Sequence, residues 1–425
     1  MDGIDFDETF APVARLKSVR LLLAIACHLK FKLYQMDVKT AFLNCILHVY
    51  VEQPKGFEDP HHPNDMFQLK KALYGLKQAP RAWYERLSSH LLGNGYVRGS
   101  VDKTLFVKRF KRDVLIAQVY VDDIVVGSTS DLHVQEFIHV MTSEFEISLV
   151  GELNYFLGLQ IKQSHAGIFV SQLKYAKHLV KKFGLEGAKY ARTPMSTSAK
   201  IHRDLHGKSV DQTLYRSMIE SLLYLTASRP NISCSVGVCA RVQSDPKESH
   251  LFAVKRIIKY VSGTVECGLW YTYDTCVNLV GYSDDRKSTS WGVFYVGNNL
   301  VAWHSKKQNS VSLSTAEAEY VAARSCCTQL FWMRHILEDY GLAQSCFLIY
   351  CDNMSAIDIS KNPVQYSRTK HIDIRPHFIR DLMEEKILSS KFVPSEKRLA
   401  DILTKALDFQ KHVTLRQSIG LCSID

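Results

Sequence analysis

Two apolar runs meet at a pair of acids in the stretch Val114-Leu115-Ile116-Ala117-Gln118-Val119-Tyr120-Val121-Asp122-Asp123-Ile124-Val125-Val126-Gly127. Its β-branched residues and short polar break predict two strands joined as a hairpin, with both carboxylates at the tip. Adjacent aspartates at a hairpin tip are ordinarily a solvated turn. Between two apolar strands, however, an unpaired carboxylate is costly to bury, and the pattern therefore favours a bound cation.

A third acid strengthens the case for a cation site. Asp37 ends another apolar stretch, Tyr34-Gln35-Met36-Asp37-Val38, and Phe42 follows it five residues later. Three carboxylates from separate strands can hold two Mg²⁺ ions about 3.5 to 4 Å apart, an arrangement that serves phosphoryl transfer. We therefore expect Asp37 to lie within about 10 Å of Asp122 and Asp123, close enough to share a metal.

Composition restricts the class of protein. The 425 residues, 46% of them hydrophobic and 23% charged, predict a globular chain of two or three domains. The formal net charge of +10 favours an anionic partner, and nucleic acid is the first candidate.

The sequence predicts an intracellular protein, in the cytoplasm or the nucleus, with no membrane partner. The apolar segment Val19 to Leu29 is shorter than the roughly 20 residues that span a bilayer. The start, Met1-Asp2-Gly3-Ile4-Asp5, is acidic where a secretory signal is basic. The 11 cysteines contain no C-x-x-C pair, so a disulfide scaffold or a zinc site is not expected.

Periodicity predicts a mixed α/β chain. Helical faces are predicted at Leu173, Ala176, Val180 and Phe183, at Leu214, Met218, Ile219, Leu222 and Leu223, and at Leu251, Val254, Ile257, Ile258 and Val261. Beside the first face, Lys174, Lys177 and Lys181 form a basic stripe that is either a phosphate-binding surface or a solvated helix face. Later segments predict strands at 277–283, 292–296, 300–305 and 347–351, a helix over 315–340 and a last amphipathic helix over 399–407.

Five stretches together resemble the reverse transcriptases of copia-type long-terminal-repeat retrotransposons, which are abundant in plants. They occur in the family's order and cover about the first 190 residues. The stretches are Asp7-Glu8-Thr9-Phe10-Ala11-Pro12-Val13, Gln35-Met36-Asp37-Val38-Lys39-Thr40-Ala41-Phe42-Leu43-Asn44, Ala72-Leu73-Tyr74-Gly75-Leu76-Lys77-Gln78-Ala79-Pro80-Arg81-Ala82-Trp83-Tyr84, Tyr120-Val121-Asp122-Asp123 and Tyr155-Phe156-Leu157-Gly158-Leu159.

The resemblance implies roles for these residues in a palm-centred polymerase with partial fingers and a helical thumb. It makes Asp37, Asp122 and Asp123 the catalytic metal ligands, and Phe42 the ring that excludes a ribose 2′-hydroxyl. Other positions would contact substrate: Tyr74, Gly75 and Gln78 the incoming nucleotide, Phe156, Leu157 and Gly158 the primer end. Without the family, Phe42, Tyr74, Gly75 and the Phe156 turn are equally well explained as core residues.

The resemblance continues into a ribonuclease H-like domain. Asp284, Glu319, Asp352 and Asp401 match that domain's four acids, which hold two Mg²⁺ ions or, in their place, Mn²⁺. Glu319 is preferred to Glu317 because the family's acid comes directly before the Tyr-x-Ala step. The implied domains are the polymerase at 1–195, thumb and connection at 196–272, ribonuclease H at 273–410 and a tail at 411–425.

Three departures from the family count against catalytic activity of this chain alone. The family's basic upstream strands do not precede Asp5, which implies N-terminal truncation. The turn after Asn44 is shortened. The segment Asp284-Asp285-Arg286-Lys287-Ser288 is shorter than the corresponding segment of the family, so either Asp284 or Asp285 is the first acid. The shortening predicts that this acid is displaced from the other three. Trp291 replaces a small residue of the family and is expected to crowd the next strand.

Two functional interpretations stay open. The chain is either an RNA-directed DNA polymerase with a ribonuclease H domain, or an inactive retroelement relict that retains only nucleic-acid binding. The polymerase interpretation implies deoxynucleoside triphosphates, an RNA or DNA template-primer and an RNA:DNA hybrid as partners. An unrelated DNA-repair polymerase is disfavoured because its four C-terminal acids would then be a coincidence.

Overall fold

The computed structural model describes residues 10–198, 201–285, 289–307, 314–361, 377–394 and 398–423. The chain folds as two compact units. The first unit comprises Met1–Val19, Leu29–Leu153 and Asp339–Gly341, and the second comprises Arg20–His28, Asn154–Glu338 and Leu342–Asp425. None of the described helices is both long enough and apolar enough to cross a membrane.

The first unit is built on a six-stranded antiparallel sheet in the order β4-β5-β6-β7-β1-β8, with β2 and β3 as a separate ribbon. Its elements are α1 (Leu16–Leu29, which continues into the second unit), β1 (Leu33–Val38), β2 (Val49–Val51), β3 (Phe67–Leu69), α2 (Ala79–Gly93), β4 (Val97–Arg98), β5 (Leu105–Arg109), β6 (Val114–Tyr120), β7 (Asp123–Ser128), α3 (Asp131–Thr142) and β8 (Ile147–Glu152). The predicted hairpin is thus confirmed as β6 and β7.

Two helices cover one face of this sheet. Trp83 and Leu87 of α2 and Phe137 of α3 are buried in the same core as Ala117 and Ile124 of the central hairpin. Close-packed large side chains on one face fix the sheet against its helices. The hairpin that carries the two aspartates is therefore fixed by the core that its inner face shares with α2 and α3.

The second unit begins with a helical region beside a five-stranded sheet in the order β18-β12-β11-β10-β9. Its elements are β9 (Tyr155–Phe156), β10 (Leu159–Gln163), β11 (Gly167–Ser171), α4 (Leu173–Lys182), α5 (Gln212–Leu225), α6 (Ser233–Ala240), α7 (Glu248–Ser262) and β12 (Cys267–Thr272). The helices share one core, as their apolar faces predicted. On α5, however, Leu214 and Leu223 are exposed, because Tyr215 and Leu225 complete the buried face instead.

A second five-stranded sheet follows, in the order β15-β14-β13-β16-β17. The remaining elements are β13 (Leu279–Asp285), β14 (Thr289–Val296), β15 (Asn299–Lys307), α8 (Thr315–Asp339), β16 (Phe347–Cys351), α9 (Met354–Lys361), α10 (His377–Glu384), β17 (Leu388–Phe392), α11 (Asp401–Thr404), α12 (Phe409–Ser418) and β18 (Leu421–Ser423). β16 runs parallel to β13 and β17, whereas β14 is antiparallel to both of its neighbours.

Two sequence predictions for this region are wrong. Trp291 does not crowd its neighbours, since it is buried within β14 and pairs in register with Asp284 and Ser305. The last amphipathic helix is only the short α11, because Lys405 adopts an extended conformation (φ −148°, ψ 159°) that ends it. Residues 409–418 form α12 instead, and β18 pairs with β12.

Candidate active sites

The first candidate site lies at the tip of the β6–β7 hairpin, where the end of β1 meets it. Asp37 and Asp123 are directly paired across the antiparallel strands β1 and β7. The backbone N–H of Val38 donates a hydrogen bond to the carbonyl oxygen of Asp122 at 2.9 Å. The expected convergence of Asp37 with the Asp122-Asp123 pair is confirmed, although 85 positions separate Asp37 from Asp122.

The turn itself is strained and is held by a buried side chain. Val121 has φ 57°, a left-handed conformation that a β-branched residue rarely adopts. The indole Nε1–H of Trp83 donates a hydrogen bond to the carbonyl oxygen of Val121 at 2.6 Å. Such strain persists only where surrounding structure enforces it, and here it aims two adjacent carboxylates.

Each of the three half-buried carboxylates accepts a hydrogen bond from an uncharged donor. Gln35 Nε2 donates to Asp123 Oδ1 at 2.9 Å, and Ser148 Oγ donates to Asp37 Oδ2 at 3.4 Å. Tyr74 OH lies 3.5 Å from Asp122 Oδ2, at the limit of hydrogen bonding. Sequence reasoning missed Gln35, Ser148 and Trp83 as supporting residues. Only Gln35 offered a signal, because residues two apart on a strand share a face.

The electrostatics of this site favour a cation. Burial raises the pKa of Asp123, the Gln35 hydrogen bond opposes that rise, and the charges of Asp122 and Asp37 add to it. Burial and the same neighbouring aspartates also raise the pKa of the Tyr74 phenol, which keeps it a protonated donor. Three clustered carboxylates with neutral donors suit oxygen-preferring divalent cations such as Mg²⁺ or Mn²⁺.

The predicted nucleotide-contacting residues lie in the same unit. Phe42 is buried, at 7% exposure, and its ring centroid is 4.3 Å from that of Tyr74. Gly75 has φ 96°, which glycine adopts without strain, and half-buried Gln78 stands directly before α2. The ring pair therefore borders the acidic tip through the hydroxyl of Tyr74.

The predicted primer-end and lysine residues belong to the second unit. Leu157 and Gly158 form a two-residue turn between β9 and β10 with positive φ at both positions, while Phe156 is buried. A Cβ at Gly158 would come within 1.6 Å of the Tyr224 hydroxyl, so a larger residue there would have to displace that side chain. Lys174, Lys177 and Lys181 are exposed on α4.

The second candidate site is a cluster of acids around one guanidinium. Because β13 and β16 are parallel neighbours, Asp284 at the end of one strand and Asp352 after the other meet at one sheet edge. Glu319 of α8 joins them, which supports its choice over Glu317. Arg398 Nη1 lies 2.5 Å from Asp352 Oδ2, and Arg398 Nη2 lies 3.8 Å from Glu319 Oε1 and donates to Asp284 Oδ1.

Asp284 is not displaced, contrary to the prediction from the shortened segment. It contacts the same guanidinium nitrogen as Glu319. The reason is that β13 stays paired with β14 through Asp284 and with β16 as far as Tyr282, two residues before it. The side chain of the alternative acid Asp285, and residues 286–288 of the shortened segment, lie outside the described residues.

Asp401 completes the cluster; it is fully buried and contacts two partly exposed lysines. Its Oδ2 lies 2.5 Å from Lys405 Nζ and 2.9 Å from Lys411 Nζ, and its Oδ1 lies 3.8 Å from Arg398 Nε. Burial raises the pKa of Asp284, whereas the charge of Arg398 opposes that rise. Burial alone would lower the pKa of Arg398, but the four surrounding carboxylates raise it above its ordinary value.

A metal fits this second site poorly. Glu319, Cys351 and Asp352 offer ligand atoms within 4.8 Å of one another. However, a thiol must lose its proton to bind a metal, and burial, which raises the pKa of Cys351 to about 11, opposes that loss. The guanidinium of Arg398 already contacts both carboxylates. Arg398 was missed by sequence reasoning, although its position three residues before Asp401 was a usable signal.

Comparison with known proteins identifies relatives along the whole chain. The family described as reverse transcriptase (RNA-dependent DNA polymerase) matches residues 1–197. The Pol polyproteins of transposon RE2 of Arabidopsis thaliana and transposon TNT 1-94 of Nicotiana tabacum are 35% and 34% identical over 99% of this chain. The chain spans only 30% and 33% of their lengths. Over 68% of its length, the chain is also 30% identical to a putative transposon Ty5-1 protein of Saccharomyces cerevisiae, of which the match covers 98%.

Solved structures share the fold. The foamy viral protease-reverse transcriptase, solved in complex with double-stranded DNA, is similar over 93% of this chain and 60% of its own, with a TM-score of 0.51 and 11% identity. A second structure of that viral protein with double-stranded DNA gives a TM-score of 0.50 over 88% of this chain and 70% of its own. The described architecture is accordingly consistent with a polymerase fold followed by a ribonuclease H-like sheet.

Proposed function

The chain belongs to the reverse transcriptase family of copia-type retrotransposon Pol polyproteins, and from this premise we propose that it is an RNA-directed DNA polymerase whose metal site lies in the first unit. The reaction is the addition of a deoxynucleotide to a primer 3′-hydroxyl on an RNA or DNA template, with release of pyrophosphate. The observation that carries the proposal is the direct pairing of Asp37 with Asp123 beside Asp122.

The three carboxylates fit a divalent metal pair. Asp37, Asp122 and Asp123 are the residues that would hold it, since their oxygens converge without a lysine or arginine among the groups that shift the pKa of Asp123. Two bound Mg²⁺ ions would stabilise the charge that develops on the attacking and leaving oxygens. Gln35 and Ser148 orient two of these carboxylates and keep them acceptors.

Substrate selection is assigned to the ring pair at the edge of the site. We propose that Phe42, backed by Tyr74 at 4.3 Å, presents its ring to the nucleotide sugar and excludes a ribose 2′-hydroxyl. Gly75 and Gln78 would contribute to the same nucleotide pocket. In the second unit, the Phe156-Leu157-Gly158 turn would hold the primer end.

The second acid cluster descends from a ribonuclease H site, whose substrate would be the RNA strand of an RNA:DNA hybrid. Because the buried Arg398 guanidinium contacts its carboxylates, we assign no metal-dependent step to it. The proposed domain boundaries at 195, 272 and 410 separate this region from the polymerase. We propose that the protein acts inside the cell, in the cytoplasm or the nucleus.

The second candidate function is nucleic-acid binding without catalysis. Two observations favour it. Lys174, Lys177 and Lys181 are exposed on α4, where they can contact phosphate. The Arg398 guanidinium contacts the carboxylates of the second acid cluster, which opposes metal-dependent catalysis there. Phosphate contacts tolerate geometric error, whereas metal catalysis does not. A relict could therefore bind a hybrid duplex without acting on it.

Primer extension separates the two functions. The full chain is incubated with a primed homopolymer RNA template, the complementary deoxynucleoside triphosphate and either Mg²⁺ or Mn²⁺. We expect extension that is lost in Asp122→Asn. Binding of the template-primer without extension under both metals would contradict the polymerase proposal and support the relict.

A further inference from the structure

Arg398 lies at the centre of the acidic cluster of the second unit, the group Asp284, Glu319, Asp352 and Asp401. Its three guanidinium nitrogens each face a different part of the cluster: Nη2 faces Asp284 and Glu319, Nη1 faces Asp352, and Nε faces Asp401. The side chain of Arg398 is only 9% exposed. One cation thus reaches all four carboxylates from a single buried position.

The charge balance around this cluster is nearly closed by the chain itself. Four carboxylates carry a charge of −4 when ionised. Arg398 contacts all four, and Lys405 and Lys411 contact Asp401, which together supply +3. A residual charge of about −1 cannot neutralise two divalent ions, which bring +4.

The space is limited as well as the charge. A Mg²⁺ ion must approach its carboxylate oxygens to about 2.0 to 2.1 Å. Arg398 Nη1 is already 2.5 Å from Asp352 Oδ2, and Nη2 donates to Asp284. An ion bridging Asp284 and Asp352 would need the volume that the guanidinium fills, and like charges would repel.

We infer that Arg398 is the resident cation of this acidic cluster, and that divalent metal reaches these carboxylates only after the Arg398 side chain leaves them. The inference rests on the proposed descent of the four acids from a metal-binding ribonuclease H site. Arg398 then has two effects. It stabilises three buried carboxylates and the partly exposed Asp352 as a metal would, and it blocks metal-dependent cleavage of hybrid RNA by the second unit.

Manganese titration followed by electron paramagnetic resonance tests this directly. The parent protein is the full chain carrying Asp122→Asn and Asp123→Asn, which removes metal binding at the first candidate site. We expect Arg398→Gln in this parent to gain a Mn²⁺ site at least tenfold tighter than any site in the parent. Adding Asp352→Asn should abolish the gained site.

The matched control is Arg203→Gln, which makes the same substitution at an exposed arginine of the same unit. It should bind Mn²⁺ as the parent does. If Arg398→Gln binds Mn²⁺ no more tightly than the parent, the inference is wrong. It is equally wrong if the parent already holds a tight Mn²⁺ ion that Asp352→Asn removes.

If Arg398→Gln fails to fold, the parent and its Asp352→Asn variant still test the inference, because both retain Arg398. A tight Mn²⁺ ion that is present in the parent and lost in Asp352→Asn would show that metal binds while Arg398 is in place. Folding of Arg398→Gln that is restored by added Mn²⁺ would support the inference, since metal then replaces the guanidinium. Primer extension by Arg398→Gln with intact first-site acids should match that of the unaltered chain. Absent extension in both proteins would count against the proposed polymerase alone.

Discussion

The two acidic clusters of this chain use the same residue types but are neutralised differently. At the hairpin tip, Asp37, Asp122 and Asp123 accept hydrogen bonds from Gln35, Ser148 and Tyr74, none of which is charged. In the second unit, the four acids contact Arg398, Lys405 and Lys411. Neutral donors orient a carboxylate and leave its negative charge uncompensated, whereas an ion pair neutralises that charge.

Acids that occupy similar positions in sequence motifs therefore need not bind metal equally well. The first cluster keeps net negative charge that a divalent cation can neutralise. In the second cluster, ion pairs with Arg398, Lys405 and Lys411 neutralise most of the negative charge, and breaking an ion pair to a buried carboxylate is costly. We therefore expect the first cluster to govern activity and the second to govern stability.

The largest expected effect is on primer extension. Asp122→Asn removes a charged ligand from the first cluster and should reduce the extension rate by about a thousandfold or more. Asp352→Asn in the second cluster should leave extension unchanged. Single-turnover extension rates provide the measurement, with exposed Asp65→Asn as the control. Comparable losses from Asp122→Asn and Asp352→Asn would break the contrast.

The next effect is on folding stability and has the opposite pattern. Asp401→Asn leaves Lys405 and Lys411 without their buried partner, so the second unit should lose about 3 kcal/mol of unfolding free energy. Asp37→Asn relieves repulsion between like charges and should not destabilise the first unit. Urea unfolding, with amide hydrogen exchange to separate the units, measures both. An unaffected second unit in Asp401→Asn would refute the structural role.

The folding stability of the second unit should depend on pH through His412, which follows Lys411 of the second cluster. Burial, aided by the charges of Arg416 and Arg229, lowers the pKa of His412 to about 4. The unfolded chain therefore binds this proton at a higher pH than the folded chain does, and stability that is full above pH 6.5 should fall by about 3 kcal/mol as the pH decreases to 4.

Thermal unfolding between pH 7 and pH 4 measures this loss. His412→Gln should flatten the pH dependence, while the exposed His178→Gln should retain it. An unchanged slope in His412→Gln would assign the acid sensitivity to other groups.

A smaller effect is expected on sugar selection. Phe42→Val replaces the ring that faces Tyr74 with a smaller branched side chain and should reduce the preference for deoxynucleotides over ribonucleotides by roughly tenfold. The measurement is the ratio of single-nucleotide incorporation rates for the two sugars. Tyr74→Phe keeps the ring pair and should keep the preference. Reduced thermal stability without a change in the ratio would make Phe42 a core residue only.

The smallest effect concerns nucleic-acid affinity. Changing Lys174, Lys177 and Lys181 to alanine should lower the slope of log affinity against log salt by roughly 0.7 to 0.9 for each lysine that contacts phosphate. Fluorescence anisotropy with an RNA:DNA hybrid at several salt concentrations measures it. The unaltered chain and the triple variant sharing one slope would show that this helix face is merely solvated.

Much of the fold was predictable because it depends on local patterns. The β6–β7 hairpin follows from two β-branched runs around Asp122-Asp123, and α8 and β16 follow from their periodicity. The errors came from packing and from backbone conformation. Leu214 and Leu223 fit the predicted apolar face of α5, yet Tyr215 took the buried position, and the extended Lys405 ended α11.

The candidate sites divide in the same way. The seven acids could be chosen from the sequence because each follows or flanks a recognisable motif, and family resemblance supplied the second set. That Asp37 pairs with Asp123 also followed from strand ends carrying acids. The placement of Asp284 did not, because its strand register is set by β14 and β16 rather than by the shortened segment that follows it.

By itself, the sequence determined the family, the order of elements and which carboxylates are available, since these depend on residue type and spacing along the chain. How each carboxylate is neutralised depends on contacts that form only in the folded chain. Gln35, Ser148 and Tyr74 come from three different segments, and Arg398 reaches Asp284 across 114 positions. Electrostatic energy depends on distance in space and on burial, and neither follows from separation along the chain.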